Sequence, residues 1–425
     1  MPNRFKISTV SVIGLGYIGL PTAAMFASRK VKVIGVDINQ HAVDTINQGQ
    51  IHIVEPELDV IVHAAVTEGF LRASTKPEPA EAFLIAVPTP FKGDHVPDLS
   101  YVRAAAESIA PVLKKGDMVI LESTSPVGTT EQMLQWLVAA RPDLCFPVEG
   151  AVASDIDVNV AYCPERVLPG HVIRELVQND RIIGGLTEAC GKRAADIYRV
   201  FVEGELLFTN ARTAEMAKLT ENAFRDVNIA FANELSLISD NLDINVWELI
   251  KLANHHPRVN ILQPGCGVGG HCIAVDPWFI VDKTPEQARL IRTAREVNDY
   301  KPQWVLEKVR AAVDALVATG RDEASITVAL LGLSFKPNID DLRESPALQI
   351  AKLFAAETRT SLLLVEPNID TLPTAMASQT LVSVEDAISQ ADVIGLLVNH
   401  REFSGIKAKL KQHTRVIDAV GIDNA

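Results

Sequence analysis

The sequence predicts an α/β protein of two doubly wound domains joined by a central helical domain. Three observations carry this expectation. Short apolar runs alternate with amphipathic stretches towards both ends of the chain. A stretch without proline or glycine, rich in Ala, Leu, Glu, Lys and Asn, lies between them. A glycine-rich turn follows the first apolar run. Buried strands separated by helices form a parallel sheet covered on both faces.

The first part of the chain supplies four strand candidates, Thr9–Gly14, Val31–Asp37, Ala82–Val87 and Met118–Glu122, with amphipathic segments such as Tyr101–Leu113 between them. From Thr213 to about Asn241 the pattern becomes one long helix, with Thr213 as its expected N-cap. Further helices are expected over Val246–Ala253 and Pro285–Ala318. The intervening Asn254–Pro277, rich in Gly, Pro and His, is expected to be a loop. Strand–helix alternation then returns. Ile326–Leu331, Leu362–Val365 and Val393–Val398 read as strands, and Ser345-Pro346 as the N-cap and first turn of a helix reaching about Ala355. The expected division is residues 1–200, 201–318 and 319–425.

At 425 residues the chain is too long for one hydrophobic core. Its net charge of −13 argues against nucleic-acid or anionic-membrane partners, while leaving room for a locally basic cleft that takes an anionic small molecule. The five cysteines, Cys145, Cys163, Cys190, Cys266 and Cys272, are odd in number and irregularly spaced, which does not suit a secreted disulfide framework. No CxxC pair occurs, so no structural zinc, and no other metal, is expected. The first apolar run is broken by Gly14, Gly16 and Gly19, as in a strand entering a turn rather than a signal peptide. No stretch approaches the ~20 apolar residues of a membrane span. The expectation is a reduced, soluble, cytoplasmic enzyme.

Two stretches carry chemistry. Gly14-Leu15-Gly16-Tyr17-Ile18-Gly19 is a GxGxxG turn between a strand and a helix beginning near Leu20. Its glycines would permit the tight turn, the approach of backbone N–H groups to a pyrophosphate, and close helix–strand packing, while the helix N-terminus favours negative charge. Asp37, at the end of the second strand, would bond ribose hydroxyls, and Ile38-Asn39-Gln40 offers no arginine for a 2′-phosphate, so NAD is expected over NADP. The second stretch is Gly265-Cys266-Gly267-Val268-Gly269-Gly270-His271-Cys272. Its glycines would let the backbone approach a ligand closely and deliver a cysteine on a loop, where a core role is not expected. On spacing alone Cys272 is the candidate nucleophile and Cys266 the competitor. His271 could lower a thiol pKa or point away.

The motifs GLGYIGLPTA (Gly14–Ala23), ESTSPVGTT (Glu122–Thr130), YCPERVLPG (Tyr162–Gly170), AEMAKLTENAFRDVNIAFANEL (Ala214–Leu235), HPRVNILQPGCGVGGHCIAVDP (His256–Pro277) and FKPNIDDLRESPA (Phe335–Ala347) stand in one order along the chain. Together they resemble the UDP-glucose/GDP-mannose dehydrogenase family over almost its whole length. The resemblance implies two Rossmann-like domains around a helical dimerisation domain. It also implies two successive hydride transfers to NAD that take a sugar C6 alcohol to an acid. Cys272 would hold the aldehyde as a thiohemiacetal and then a thioester. Lys218 and Asn222, one helical turn apart, would steady an oxyanion, whereas on residues alone they read as a solvated helix face. Asp276 would assist proton movement, Glu165 would help activate water, and Thr124 would orient water or substrate.

The resemblance further implies cofactor contacts at Gly14, Tyr17, Ile18, Gly19, Asp37, Thr89 and Thr124. Substrate contacts are implied at Glu165, Arg166, Val167, Lys218, Asn222, Gly265, Lys336 and Arg343, with Arg258 reaching a neighbouring subunit's sugar nucleotide in a homodimer. Lys336 to Glu344 could instead be a charge cluster with internal ion pairs, given Asp340, Asp341 and Glu344. The family's bacterial members usually carry proline where Cys266 stands, which could loosen the loop or add a redox liability. The implied substrate is UDP-N-acetyl-D-mannosamine, for cell-surface polysaccharide such as enterobacterial common antigen, with UDP-N-acetyl-glucosamine or UDP-glucose as alternatives. A β-hydroxyacid dehydrogenase would need no cysteine, and a non-catalytic NAD-binding scaffold would have no use for Cys272, Lys218, Asn222 and Asp276 together.

Overall fold

A computed structural model describes residues 7–53, 55–148, 150, 155–167, 170–270, 272–410 and 415–422. The chain forms two compact units, Met1–Glu221 and Asn222–Ala425, and the division falls within the helix Ala211–Asn241.

The first unit is built on an eight-stranded sheet. Its strands are β1 (Thr9–Ile13), β2 (Lys32–Val36), β3 (Leu71–Ser74), β4 (Ala82–Ile85), β7 (Met118–Leu121), β8 (Asn159–Tyr162), β9 (Arg181–Gly185) and β10 (Leu206–Asn210). A hairpin of β5 (Phe91–Lys92) and β6 (Val96–Pro97) interrupts the series. The order is β10-β9-β8-β7-β4-β1-β2-β3. All the neighbours pair in parallel except β8 and β9. Side chains alternate between two covered faces. Val10, Val12, Leu84 and Ile120 pack with the helix Gly19–Ser28, while Ile13, Phe83, Ile85 and Val119 pack with Ser100–Ile109 and Thr129–Ala140. Burial on both faces explains why these strands are continuous apolar runs. The chain reverses direction across the sheet between β1 and β4, the place where such folds bind nucleotides.

The second unit contains the helices Val246–Ala253, Asp276–Lys283 and Arg289–Val317, and a sheet of β11 (Thr327–Leu331), β12 (Ser361–Val365), β13 (Thr380–Leu381), β14 (Val393–Leu396) and β15 (Val416–Asp418). This sheet is wholly parallel in the order β13-β12-β11-β14-β15, which repeats the winding of the first and places its reversal between β11 and β14.

Three expectations are corrected. The long helix begins at Ala211, not at Thr213, because Asn210 accepts the Thr213 N–H on its side-chain oxygen (2.8 Å) and does the capping. The loop expected over Asn254–Pro277 ends early: the helix Asp276–Lys283 takes an acidic residue and Pro277 into its first turn, where both are well tolerated. The next helix starts at Arg289 rather than Pro285. Ser345 does cap the helix Pro346–Glu357, accepting the Leu348 N–H at 3.2 Å.

Candidate active site

The turn after β1 has the geometry a dinucleotide needs. Gly14 sits at φ +91°, and a Cβ there would lie 2.5 Å from the Ala86 carbonyl oxygen. At Gly19 a Cβ would overlap the Gly14 oxygen at 1.8 Å. Neither position tolerates a side chain. A Cβ at Gly16 would stand in open space, so the absent side chain leaves a cradle above the backbone. The Asp37 carboxylate is fixed at the rim by the Leu15 and Asn39 N–H groups, both at 2.9 Å. Tyr17 is exposed beside this turn and Ile18 precedes the first helical residue. Thr89 donates its hydroxyl to the Thr124 carbonyl (2.6 Å), so these two expected residues share one place. Gly14, Gly16 and the helix N-terminus would hold the pyrophosphate, and Asp37 the ribose.

Glu165 follows β8 and is buried. Its Oε1 accepts the Arg166 N–H (2.8 Å) and its Oε2 accepts from Arg181 (2.6 Å). The same Arg181 nitrogen reaches Glu122 Oε1 (3.1 Å), which also accepts the Tyr198 hydroxyl (2.6 Å). Arg166 pairs with Glu221 at 2.7 Å, and Val167 is half-buried next to it. Sequence reasoning missed Glu122, Arg181 and Tyr198 as a group, because no spacing in the chain announces a contact made by three separate elements.

In the second unit, the Cys272 carbonyl accepts the N–H groups of Val275 (3.1 Å) and Asp276 (2.9 Å). This single turn leads from the exposed Cys272 into the helix headed by the buried Asp276. Asn222 donates to the Asp276 carboxylate through a short hydrogen bond. Lys218 is half-buried one turn before Asn222 on the same helix, and Arg258 is exposed. His271 lies outside the described residues.

The glycines of the loop have a packing reason that the sequence did not reveal. A Cβ at Gly267 would lie 2.9 Å from Pro346, one at Gly269 2.4 Å from the Glu344 oxygen, and one at Gly270 2.9 Å from Phe335. They let the loop press on the C-terminal domain. Only Gly265 is open around its Cα, and its N–H is held by the Asn233 side chain at 2.9 Å. Cys266 belongs to the loop but turns its thiol inward. It is buried in the core with Val305, Leu333 and Leu348, and burial pushes its thiol up to about 12. It therefore fills the space under the loop, and it is no competitor to the exposed Cys272.

The C-terminal domain repeats the device at β1. Gly332 follows β11 at φ +89°, and a Cβ there would lie 2.5 Å from Val398, after β14. Glu366, after β12, accepts the N–H groups of Leu333 (2.7 Å) and Ser334 (3.0 Å), much as Asp37 accepts that of Leu15. His400 supports Glu366 from Nε2 (3.0 Å), and its Nδ1 accepts the Asn338 N–H (3.0 Å). These residues frame the turn that carries Lys336, whose carbonyl accepts the Ser334 hydroxyl at 2.8 Å. Gly332 and Glu366 were missed, although Leu-Gly-Leu after an apolar run echoes Ile-Gly-Leu at residues 13–15. Arg343 lies exposed with its guanidinium on the Asp341 carboxylate (2.6 Å), so the internal ion pair left open by the sequence is present. Among the described residues no cluster of metal ligands occurs, and no helix is long and apolar enough to cross a membrane.

Comparison with known proteins gives these two nucleotide-binding folds a family. Three domain profiles of the UDP-glucose/GDP-mannose dehydrogenase family match: the NAD binding domain at residues 8–202, the central domain at 212–300 and the UDP binding domain at 329–424. The chain is 64% identical over 419 residues to the UDP-N-acetyl-D-mannosamine dehydrogenase of Escherichia coli (strain K12), covering 98% of this chain and 99% of that one. It is 62% identical over 417 residues to the NDP-N-acetyl-D-galactosaminuronic acid dehydrogenase of Ralstonia nicotianae, covering 98% and 96%. Among solved structures, the UDP-D-ManNAc dehydrogenase of Pyrococcus horikoshii superposes with a TM-score of 0.87 at 38% identity, covering 97% and 96%. The chain belongs to the UDP-glucose/GDP-mannose dehydrogenase family. It is an enzyme that oxidises a UDP-sugar with NAD.

Proposed function

We propose that the chain oxidises UDP-N-acetyl-D-mannosamine at C6 to UDP-N-acetyl-D-mannosaminuronate, through a covalent intermediate on Cys272, in the cytoplasm and for a cell-surface polysaccharide. The 64% identity to the Escherichia coli enzyme supports the substrate. The observation that carries the covalent step is the single turn joining exposed Cys272 to Asp276, with Asn222 bonded to that carboxylate. In this reading residues 1–200 bind NAD, 201–318 build the catalytic and dimer elements, and 319–425 bind the UDP moiety with Lys336 and Arg343.

NAD, when bound above the turn at Gly14–Gly19, would supply the hydride acceptor for each of the two oxidations. Lys218 and Asn222 steady the negative charge that develops on the C6 oxygen, and Asp276 passes protons. Cys272 Sγ adds to the aldehyde carbon and keeps it bound, first as a thiohemiacetal and then as a thioester. Water, oriented by Thr124, adds to the thioester carbonyl while Glu165 takes its proton. The C–S bond then breaks and Sγ leaves as thiolate. One alcohol and one water thus give one carboxylate, two hydrides and three protons. Arg166, Val167 and Gly265 line the sugar nucleotide.

The test is the NADH formed per sugar consumed by purified protein on a panel of UDP-N-acetyl-mannosamine, UDP-N-acetyl-galactosamine, UDP-N-acetyl-glucosamine and UDP-glucose. The expected ratio is about two, with the mannosamine sugar preferred. Preference for the galactosamine sugar would favour the Ralstonia-like reading that 62% identity also supports. A ratio near one would exclude the four-electron reaction.

The homodimer is proposed on a second observation. Phe224, Phe231 and Ile238 are exposed on the helix Ala211–Asn241 at intervals of seven, which puts three large apolar side chains on one stripe, and Leu242 is exposed in the turn just past the helix. In that dimer Arg258 reaches the neighbouring subunit's substrate. Phe231→Glu is expected to weaken self-association by roughly thirtyfold or more, read by sedimentation. An unchanged dimer would show that this face is not the interface.

A further inference from the structure

The buried cluster around Arg181 contains more charge than a purely structural pair requires. Arg181 is the one described cation between two acids, and a single nitrogen of its guanidinium serves both Glu122 (3.1 Å) and Glu165 (2.6 Å). All three side chains are at least nine-tenths buried. The guanidinium lies over the Tyr198 ring, 4.0 Å from its centre, and the Tyr198 hydroxyl holds Glu122. Two polar atoms have no hydrogen-bond partner, Glu122 Oε2 and Arg181 Nε. Such orphaned groups cost stability, and an apolar packing of the same volume would avoid the loss.

We propose that Glu122 is the charge-balancing residue for Glu165, with Arg181 as the bridge that positions both. This rests on the reading of Glu165 as the group that takes a proton from water. With both acids ionised, one guanidinium and two carboxylates carry one negative charge in excess. A proton arriving on Glu165 makes the cluster neutral. If Glu122 is neutral beforehand, the same proton leaves an uncompensated positive charge in the protein interior, which is strongly disfavoured. Glu122 must therefore be ionised for Glu165 to work well.

The groups facing Glu122 are Arg181 from β9, Glu165 and Cys163 from the segment after β8, and Tyr198 from the helix Glu188–Tyr198. Burial pushes the Cys163 thiol up and keeps it neutral. Burial likewise raises Glu122, to about 7, with Glu165 adding to the rise and Arg181 and Tyr198 opposing it. Ionisation of Glu122 thus falls near neutral pH, and thioester hydrolysis should quicken as pH rises through it.

The experiment follows decay of the covalent Cys272 adduct by mass after quenching, from pH 5.5 to 9, roughly the span over which such a group titrates. It uses the full chain with NAD and the UDP-sugar turned over fastest in the panel. The wild type should show a rising limb near pH 7. In Glu122→Gln the decay at pH 8 should be about tenfold slower and the limb absent, with the Kd values for the UDP-sugar and for NAD unchanged. Wild-type decay with the limb intact in Glu122→Gln would overturn the proposal. If that variant does not fold, Tyr198→Phe removes the hydroxyl that lowers Glu122 and should move the limb to higher pH; an unmoved limb would overturn the proposal equally. Glu165→Gln separates the two readings. Slow decay there beside normal decay in Glu122→Gln defeats only the charge-balancing role, whereas normal decay in Glu165→Gln defeats the base assignment and this proposal with it.

Discussion

Cys272→Ser is expected to form uronate at least about a thousandfold more slowly than the wild type, while binding NAD and the UDP-sugar with unchanged affinity. The serine hydroxyl remains protonated at neutral pH and adds poorly to an aldehyde, so the covalent hold on that carbon is lost. Stability should stay within about 0.5 kcal/mol, because Cys272 is exposed and the substitution leaves no cavity. The other thiol of the loop cannot take over. Cys266 is buried, its thiol is pushed up to about 12, and it sits beneath the loop in the apolar cluster of Val305 and Leu333. Two measurements check the prediction: uronate formed over time, and the mass of protein quenched during turnover. The wild type should carry a sugar-nucleotide adduct on Cys272 and the variant none. Near-normal uronate from Cys272→Ser would remove Cys272 as the nucleophile.

Local chemistry made the nucleotide turn legible from the chain alone. Gly14, Gly16 and Gly19 form a local signal whose meaning lies in backbone conformation; Gly14 and Gly19 have no room for a side chain, Gly16 stands in open space, and Asp37 accepts the Leu15 N–H at the rim of the turn. What the sequence concealed was tertiary. Cys266 looked like a loop thiol because glycines surround it, yet the loop folds it inward. Gly267, Gly269 and Gly270 read as room for a ligand, and nothing near them in the chain shows that they also make room for Pro346 and Phe335, some 70 positions away. Thr213 was a sound cap by residue type and lost to Asn210, an equally good cap three residues earlier. Glu122, Arg181 and Tyr198 meet only because β7, β9 and a helix lie side by side. The pairing of Glu366 with Leu333 was the one missed feature with a local trace, since β11 ends in the same apolar-Gly-Leu step as β1.

Asp226→Ala is expected to destabilise the second unit by about 3–5 kcal/mol, a large share of what holds any domain together. Asp226 is fully buried, and its Oδ1 accepts from Arg295 (2.7 Å) and from Asn298 (2.8 Å). Removing the carboxylate leaves the Arg295 guanidinium, 2% exposed, without its buried counter-charge; Asp299 bonds the other end but lies partly in water. The loss does not stop at the pair. Asn298 accepts from Asn233 at 2.9 Å, and Asn233 in turn holds the N–H of Gly265, where the loop that ends at Cys272 begins. One chain of hydrogen bonds therefore ties the packing of two long helices to the entry of the catalytic loop. Urea unfolding should register the lost stability, and hydrogen exchange should show Gly265 losing protection before the helices do. Adding Arg295→Met to Asp226→Ala should restore about half of the lost stability, because an apolar side chain needs no counter-charge. A loss below about 1 kcal/mol in the single variant, with no recovery in the double, would mean that water reaches Arg295 and that the chain of bonds does not secure the loop.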